Sequence, residues 1–494
     1  MIEIILVSLA IPILAFIFES YPRFINKKFG VDIWTHLLYL KEYHRRKKIP
    51  GNIENGFLVS GEYDYPPIFI LILSKFPIKW VEKYEFLFSP FFDCLLIVLI
   101  FYISYFLTGN ILFSVTVQII YTLTPIIILE NSSATPRSLG YGFFTILFLS
   151  LFQFSLNQNI VFLLLALLCG TLIFLSHRFT AQGFLFFSVF FTLFEKNPVY
   201  FMTFILSFFL AVILSKGFYL KVFKGHLGNL VFWNKNIKYR FFHQIKGSYK
   251  EHKTKDFIFK LYNQFLEFPP FVLTITNPWM LPVFYIFFFA KPSDPLLFKM
   301  LLWVMLSYLL ALLTTWIPKL RFLGEGQRYL ELSAFPTAFF ASKLLFRFLE
   351  TDFRNIIILG YILLGTASFV TIAVIQRKGI IKDRLRTVTP SMENMFKYLR
   401  SLKDKPRLLC IPHQITTNTI YHTGCPVFVN ASYADSDKIS DIYPYIRKPI
   451  RTIMRDHDLD MILLNEEYAK IDDLGLADYK IIKRFENFIL VRSF

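Results

Sequence analysis

Cysteine is scarce, at 4 of 494 residues. That is too few for a disulfide framework, and Cys94 and Cys169 fall inside apolar runs. Cys410 and Cys425, in the polar tail, could pair. Charge is scarce as well, at 18% of the chain, yet Lys and Arg outnumber Asp and Glu by 53 to 35. The net charge of +18 must therefore crowd into the loops. The first apolar run lacks a positively charged leader and a small-residue cleavage site, so it reads as a retained helix rather than a signal peptide. There is no internal repeat and no low-complexity segment. A secreted disulfide scaffold and a disordered chain are thereby excluded.

What is present is apolar: 55% of the residues are hydrophobic, and 60 are phenylalanine. Runs of about twenty such residues recur from Ile4 to Val374, long enough to cross a bilayer and foreign to a soluble enzyme. The fold class is a polytopic α-helical membrane protein. Eleven spanning helices are predicted, near 2–19, 86–107, 111–129, 138–157, 159–176, 180–195, 198–215, 270–290, 297–315, 329–347 and 356–376. The run Ile68–Leu73 is too short to span and reads as an interfacial helix after Pro66-Pro67. From residue 377 the chain turns polar, with short apolar strands at Arg407–Ile411, Pro426–Asn430, Met461–Leu464, Ile481–Phe485 and Phe488–Val491. Glu486-Asn487 is a two-residue turn between the last two. The domains are thus a membrane part, 1–376, with long loops at 20–85 and 216–269, and a small C-terminal α/β domain, 377–494.

Counting helices alternately across the membrane puts both long loops and the tail on one face. Loop 216–269 carries eleven Lys/Arg against three acids, and residues 20–65 carry eight against five. The positive-inside rule alone would send such loops to the cytoplasm, although long segments translocate largely regardless of charge.

Ionisable groups in spanning segments cost roughly 2.5–3.5 kcal/mol each on insertion scales, which makes those near the helix ends informative. The same face collects Asp32, Glu62 and Asp64 from the first loop. It also collects Glu130 and Arg137 around the loop after the third helix, His177-Arg178 after the fifth, and Arg321, Glu325 and Arg328 between the ninth and tenth. Singly each has a plain reading. Arg178 or Arg321 could snorkel to headgroups, Asp64 could hold a turn, Asp32 could cap a helix, and His177 could be an interfacial histidine. Together they suit a substrate with a phosphate and a reactive hydroxyl.

This arrangement resembles the glycosyltransferase-C superfamily, polytopic enzymes that use polyprenyl-phosphate sugars as donors. Asp32 stands where the superfamily carries an early catalytic Asp, in the long loop after the first helix. Asp64-Tyr65-Pro66-Pro67 resembles the Asp-Tyr-Pro-Pro of the dolichyl-phosphate-glucose-dependent glucosyltransferases, and Asp93 in the next helix also fits. His177-Arg178 and Gly324-Glu325-Gly326-Gln327-Arg328-Tyr329 resemble loops that close the donor site. The resemblance covers residues 1–376 as an arrangement, and the tail resembles the soluble domain that many members carry. It implies an N-terminus in the cytoplasm and an active face outside it, in the cell membrane or in the endoplasmic reticulum of a eukaryote.

The implied reaction is inverting transfer of a sugar from a polyprenyl phosphate to a lipid-linked glycan, glycolipid or protein. Phosphate is a good leaving group and needs positive charge rather than a general acid. Arg328, Arg178, Arg321 and His177 are the candidates for the donor phosphate. Asp32 would accept the acceptor proton as catalytic base, with Asp64, Glu62, Glu130, Arg137 and Glu325 binding substrate. One base with in-line attack gives inversion, whereas a glycosidase would set two carboxylates about the bond. No cofactor is called for. The first loop lacks Asp-x-Asp, Glu62-x-Asp64 being the nearest form, so metal use stays open. Acid clusters at 435–437 and 456–460 read as solvated turns, and no metal ligand is assigned.

Loop 216–269 interleaves Lys/Arg with Phe232, Trp233, Tyr239, Phe241, Phe242 and Tyr249. Beside spanning helices this reads as a flap drawn to anionic lipid or a lipid-linked substrate, not to nucleic acid. The rival functions are a transporter or flippase of lipid-linked intermediates and a non-catalytic membrane subunit. Transporters tend to show repeats and broken helices with polar groups at mid-membrane, which the sequence does not display.

Overall fold

In the computed structural model the described residues are 2–30, 32–51, 53, 56–59, 63–132, 134–237, 268–384, 386–429, 439–443, 446–476 and 478–492. The chain divides into two compact units. One comprises Met1–Asn26, Phe86–Tyr219 and Thr254–Lys382, and the other Lys27–Glu85, Leu220–Lys253 and Asp383–Phe494. The second unit therefore draws on the first long loop, which a cut at residue 376 assigns to the membrane part.

The first unit is helical. A helix or a bent helix pair forms at each of the eleven expected places, from Ile2–Ile25 to Arg354–Gln376. Asn110 and Asn159 cap helices Ile111–Thr122 and Ile160–Ser176 by accepting from backbone N–H groups. Asp294 does the same for Pro295–Trp316, where Pro295 supplies the first turn. Length separates helices from spans. Among the described residues five helices are long and apolar enough to cross a membrane, seven if the bent pairs Ile111–Thr122/Pro125–Asn131 (63°) and Pro269–Thr276/Met280–Phe289 (108°) each count once. Ile160–Ser176 and Val199–Leu214 have 17 and 16 residues. At about 1.5 Å per residue they fall short of a bilayer core of about 30 Å. An apolar run fixes a helix but not how far it reaches, so the expectation of eleven spans becomes five to seven by length and composition.

The outer faces of these helices carry exposed Ile, Leu and Phe, as lipid contact requires, while aromatic rings fill the interior. Phe148 touches the rings of Phe144, Phe152, Phe184, Phe187, Phe191 and Trp303. At the end of helix Arg178–Glu195, Lys299 Nζ lies 2.7 Å from Glu195 and 2.6 Å from Ser155 Oγ, so its charge is matched inside the unit.

The second unit is built on a six-stranded sheet. Its strands are β1 (Phe57–Val59), β2 (Leu408–Ile411), β3 (Val427–Val429), β4 (Met461–Asn465), β5 (Lys480–Phe485) and β6 (Phe488–Arg492), in the order β1-β3-β2-β4-β6-β5. The first four are parallel, and β4-β6-β5 is antiparallel. Strands β2 to β6 fall where the sequence places them. Phe485 pairs with Phe488 across Glu486-Asn487, and Glu486 takes φ +49° to make the turn. Strands β2 and β3 are buried throughout, as parallel strands covered on both faces must be. Ile462, Leu464, Ile489 and Val491 form one core with Phe232 of helix Phe218–Lys235. Helices Asp32–Arg46 and Pro390–Ser401 both pack against Thr416–Thr423 in this unit. The Ile68–Leu73 helix forms, but Phe69, Ile70 and Leu73 are buried inside the unit, so its apolar face is covered rather than offered to lipid. Cys410 and Cys425 are both buried as free thiols.

Candidate functional site

The sequence-predicted residues divide between the units. Glu130, Arg137, His177, Arg178, Arg321, Glu325 and Arg328 belong to the helical unit, and Asp32 and Asp64 to the sheet unit. Glu62 lies outside the described residues, as do Tyr239, Phe241, Phe242 and Tyr249 of the basic loop.

In the helical unit the groups form a connected network. Helix Pro125–Asn131 ends beside Glu130, and Arg137 opens helix Arg137–Asn157, so a short turn brings the two into an ion pair. The same guanidinium lies 3.9 Å from Oε1 of Glu331, whose side chain is fully buried. Tyr141, one helical turn after Arg137, donates its O–H to the other oxygen of Glu331. The ring of Tyr141 meets His177 edge-on at 5.9 Å. His177 is the one extended residue between helices Ile160–Ser176 and Arg178–Glu195, and its Nδ1 is 2.8 Å from Thr180 Oγ1. Glu331 is held at the other end by a 3₁₀ segment, Gly326–Ser333, whose backbone takes the Trp303 indole N–H at 3.0 Å from Leu332 O.

Arg328 rides on this segment in an ion pair with Glu325, 2.8 Å away, and its charge bears on both Glu331 and Tyr141. Arg321 donates Nε to Thr315 O at 3.3 Å. Gln182 bridges Leu323 O at 2.7 Å and Tyr329 Oη at 2.6 Å, tying this loop to helix Arg178–Glu195. Gly324 turns the chain at φ +131°, a region open chiefly to glycine. A Cβ on Gly326 would sit 2.0 Å from Thr315 Oγ1 and 2.5 Å from Ala311 O. Only glycine lets the segment lie this close to helix Pro295–Trp316.

Two of these groups escape a reading of the sequence: Tyr141 and Gln182 stand within apolar runs and look like ordinary helix residues. The available signal is spacing: Arg137 and Tyr141 are four apart and share a helix face.

In the sheet unit Asp32 is the exposed first residue of helix Asp32–Arg46. One turn on, His36 is buried, its ring edge-on to Tyr65 at 5.1 Å and Phe69 at 5.0 Å. Burial pushes the His36 imidazole down to about 4, with the Asp32 carboxylate opposing it. Asp64 is buried beside helix Phe218–Lys235, where a Cβ on Gly225 would lie 2.2 Å from its Oδ2. Among the described residues no group of three or more His, Cys, Asp or Glu is disposed to hold a metal ion.

No family profile matches the sequence, and no curated protein matches it. Solved structures do. The archaeal oligosaccharyltransferase AglB of Archaeoglobus fulgidus, in complex with an inhibitory peptide and a dolichol-phosphate, superposes with a TM-score of 0.59 at 12% identity. That match covers 98% of this chain and 74% of AglB. ArnT of Cupriavidus metallidurans, bound to undecaprenyl phosphate, superposes with a TM-score of 0.57 at 10% identity, covering 97% of each chain. The chain shares its fold with these structures. The likeness runs through both units, so the sheet unit is as much part of it as the helices. At such identities it is a likeness of fold, and residue roles have to be argued from this chain alone.

Proposed function

We propose that the chain is an inverting glycosyltransferase that moves a sugar from a polyprenyl phosphate to a lipid-linked glycan, glycolipid or protein acceptor on the extracytoplasmic side. The observation that carries the reading is the fold shared over nearly the whole chain with structures holding dolichol-phosphate and undecaprenyl phosphate.

The residues support a division of labour. Arg137 is committed to Glu130 and Glu331, so its work is to hold the loop ends in place rather than to meet a ligand. Arg328, ion-paired with a part-exposed Glu325 one turn away, can turn its guanidinium to the donor phosphate. As the anomeric C–O bond breaks, electrons pass to the phosphate, and the guanidinium offsets the growing charge. Arg178, Arg321 and His177 are the further donor-side candidates. Asp32 is open to solvent, as a base must be to meet an acceptor hydroxyl. It takes the hydroxyl proton while the oxygen attacks the face opposite the leaving phosphate. Asp64, Glu62, Glu130 and Glu325 are assigned to substrate hydroxyls.

The test is release of polyprenyl phosphate from a panel of short-chain polyprenyl-phosphate sugars, with membrane extract as acceptor source. Wild type should release it, while Asp32→Asn and Arg328→Ala should lose at least a hundredfold with unchanged unfolding temperatures. Binding without release by wild type would turn the reading to a transporter. That second reading draws on one observation: Glu19 and Asp93, carboxyls buried among the helices and facing each other.

A further inference from the structure

We propose that the sheet unit contains a binding site of its own, a basic cavity beside helices Asp32–Arg46 and Thr416–Thr423 that takes a negatively charged sugar bearing a phosphate or a carboxylate.

The cavity has a volume of about 770 Å³ and is lined entirely by residues of this unit. That lies within the range of small-molecule sites. Its wall carries three permanent cations. Lys41 and Arg45 are one turn apart on helix Asp32–Arg46, and Arg400 ends helix Pro390–Ser401. Two carboxylates also line it, but both are committed. Glu42 takes Arg45 Nη2 at 2.5 Å together with Arg46 Nε. Glu82 accepts the Tyr421 O–H. Among the described residues Arg400 makes no ion pair, and Lys41 lies 5.7 Å over the Tyr421 ring rather than against a carboxylate. Two cations in a concave wall, without carboxylate partners among the described residues, concentrate anions there.

The rest of the wall suits a sugar ring. Tyr421 and His422 line the cavity and are fixed from behind. Trp34 lies 5.5 Å from the Tyr421 ring and 4.7 Å from that of His422, while His422 stacks on Phe396 at 5.2 Å and 19°. A rigid aromatic face receives the C–H face of a pyranose, and the neighbouring guanidinium and ammonium receive its charged substituent. A site for a bare inorganic anion would have no use for the rings, and one for a neutral sugar no use for unmatched cations.

Full-length protein in detergent would be titrated calorimetrically with glucose 6-phosphate, glucuronate, inorganic phosphate and glucose. We expect one site for at least one of the charged sugars, with an affinity at least tenfold above that for phosphate or glucose; whichever charged sugar binds names the substituent. Arg400→Ala and Lys41→Ala, both at exposed positions, should each weaken it about tenfold or more while leaving the unfolding temperature unchanged. Tyr421→Ala should erase the preference for sugar over phosphate. Absence of binding, equal binding of glucose, equal binding of inorganic phosphate, or indifference to both cation removals overturns the proposal. Binding is read without turnover, so failure here leaves the transferase reading standing, and failure of turnover leaves this site standing.

Discussion

The two units differ in how they hold some of their enclosed ionisable groups. The helical unit closes several of them into charge pairs: Glu130 and Glu331 about Arg137, and Glu195 against Lys299. In the sheet unit His36 is buried and His413 half-buried, and desolvation pushes both imidazoles down to about 4. A matched pair inside a membrane protein survives a change of pH but not the loss of a partner. A buried neutral imidazole survives the loss of neighbours but not acid. The units should therefore fail under different insults, and each failure can be provoked separately.

The largest effect is expected from Arg137→Met. It leaves Glu331 buried with the Tyr141 O–H and the more distant Arg328 charge, and stranding a buried charge costs about 3–5 kcal/mol. Thermal unfolding in detergent should show the loss, and Arg137→Met with Glu331→Gln should recover much of it. Equal losses in the single and double variants would mean the pair is not what holds the loop ends.

Acid should act on the other unit. His36 and His413 have folded values near 4 against 6.5 when unfolded, so between those limits the unfolded chain binds protons that the folded chain does not. Their stabilisation is complete above pH 6.5 and is lost as pH falls toward 4, on the order of 3 kcal/mol for each. Hydrogen exchange followed by segment should show residues 32–46 and 408–423 opening at pH 4.5 before the helices around Arg137 do. Simultaneous opening would erase the contrast. A His413→Phe variant should flatten the pH dependence.

Gly326→Ala sharpens the comparison on the helical side. The added methyl meets a backbone oxygen that cannot move aside, so the segment carrying Arg328 and Glu331 must shift, at about 1–3 kcal/mol. Turnover should fall further than stability, because Arg328 moves with it. The smallest effect is expected at Asp458, an exposed partner of Arg407 in the sheet unit. Asp458→Asn should change stability by less than about 1 kcal/mol. A larger loss would show that surface pairs, too, hold this unit together.

The sequence foretells the helices because each is a long unbroken apolar run, and foretells β2 to β6 because short apolar strands stand out in a polar tail. It does not foretell β1. Three residues, Phe57-Leu58-Val59, make no pattern until Val427 and Val429 pair with them. Nor does it foretell span lengths, since Pro125 and the Asn277-Pro278 break bend two of the runs. The acids and arginines of the candidate site stand out against apolar neighbours, and Glu130, Arg137 and His177 do fall into one network. Tyr141 and Gln182 do not stand out, because a hydroxyl or amide in a helix is conspicuous only once its distant partner is known.

The pairing of β1 with β3 also sets an order of events during biosynthesis. Phe57 leaves the ribosome ~370 residues ahead of its partner Val427. At translation rates of about 5–20 residues per second, that is a wait of roughly 20–70 seconds. Throughout that interval the strand has no ladder to join, while most of the membrane helices are being made. Because β1 is the terminal strand of the sheet, β3, β2, β4, β6 and β5 can assemble without it. A nascent chain stopped anywhere before Val427 is thus left with an unsatisfied β1 edge, and quality control could recognise an unfinished molecule by that exposed strand.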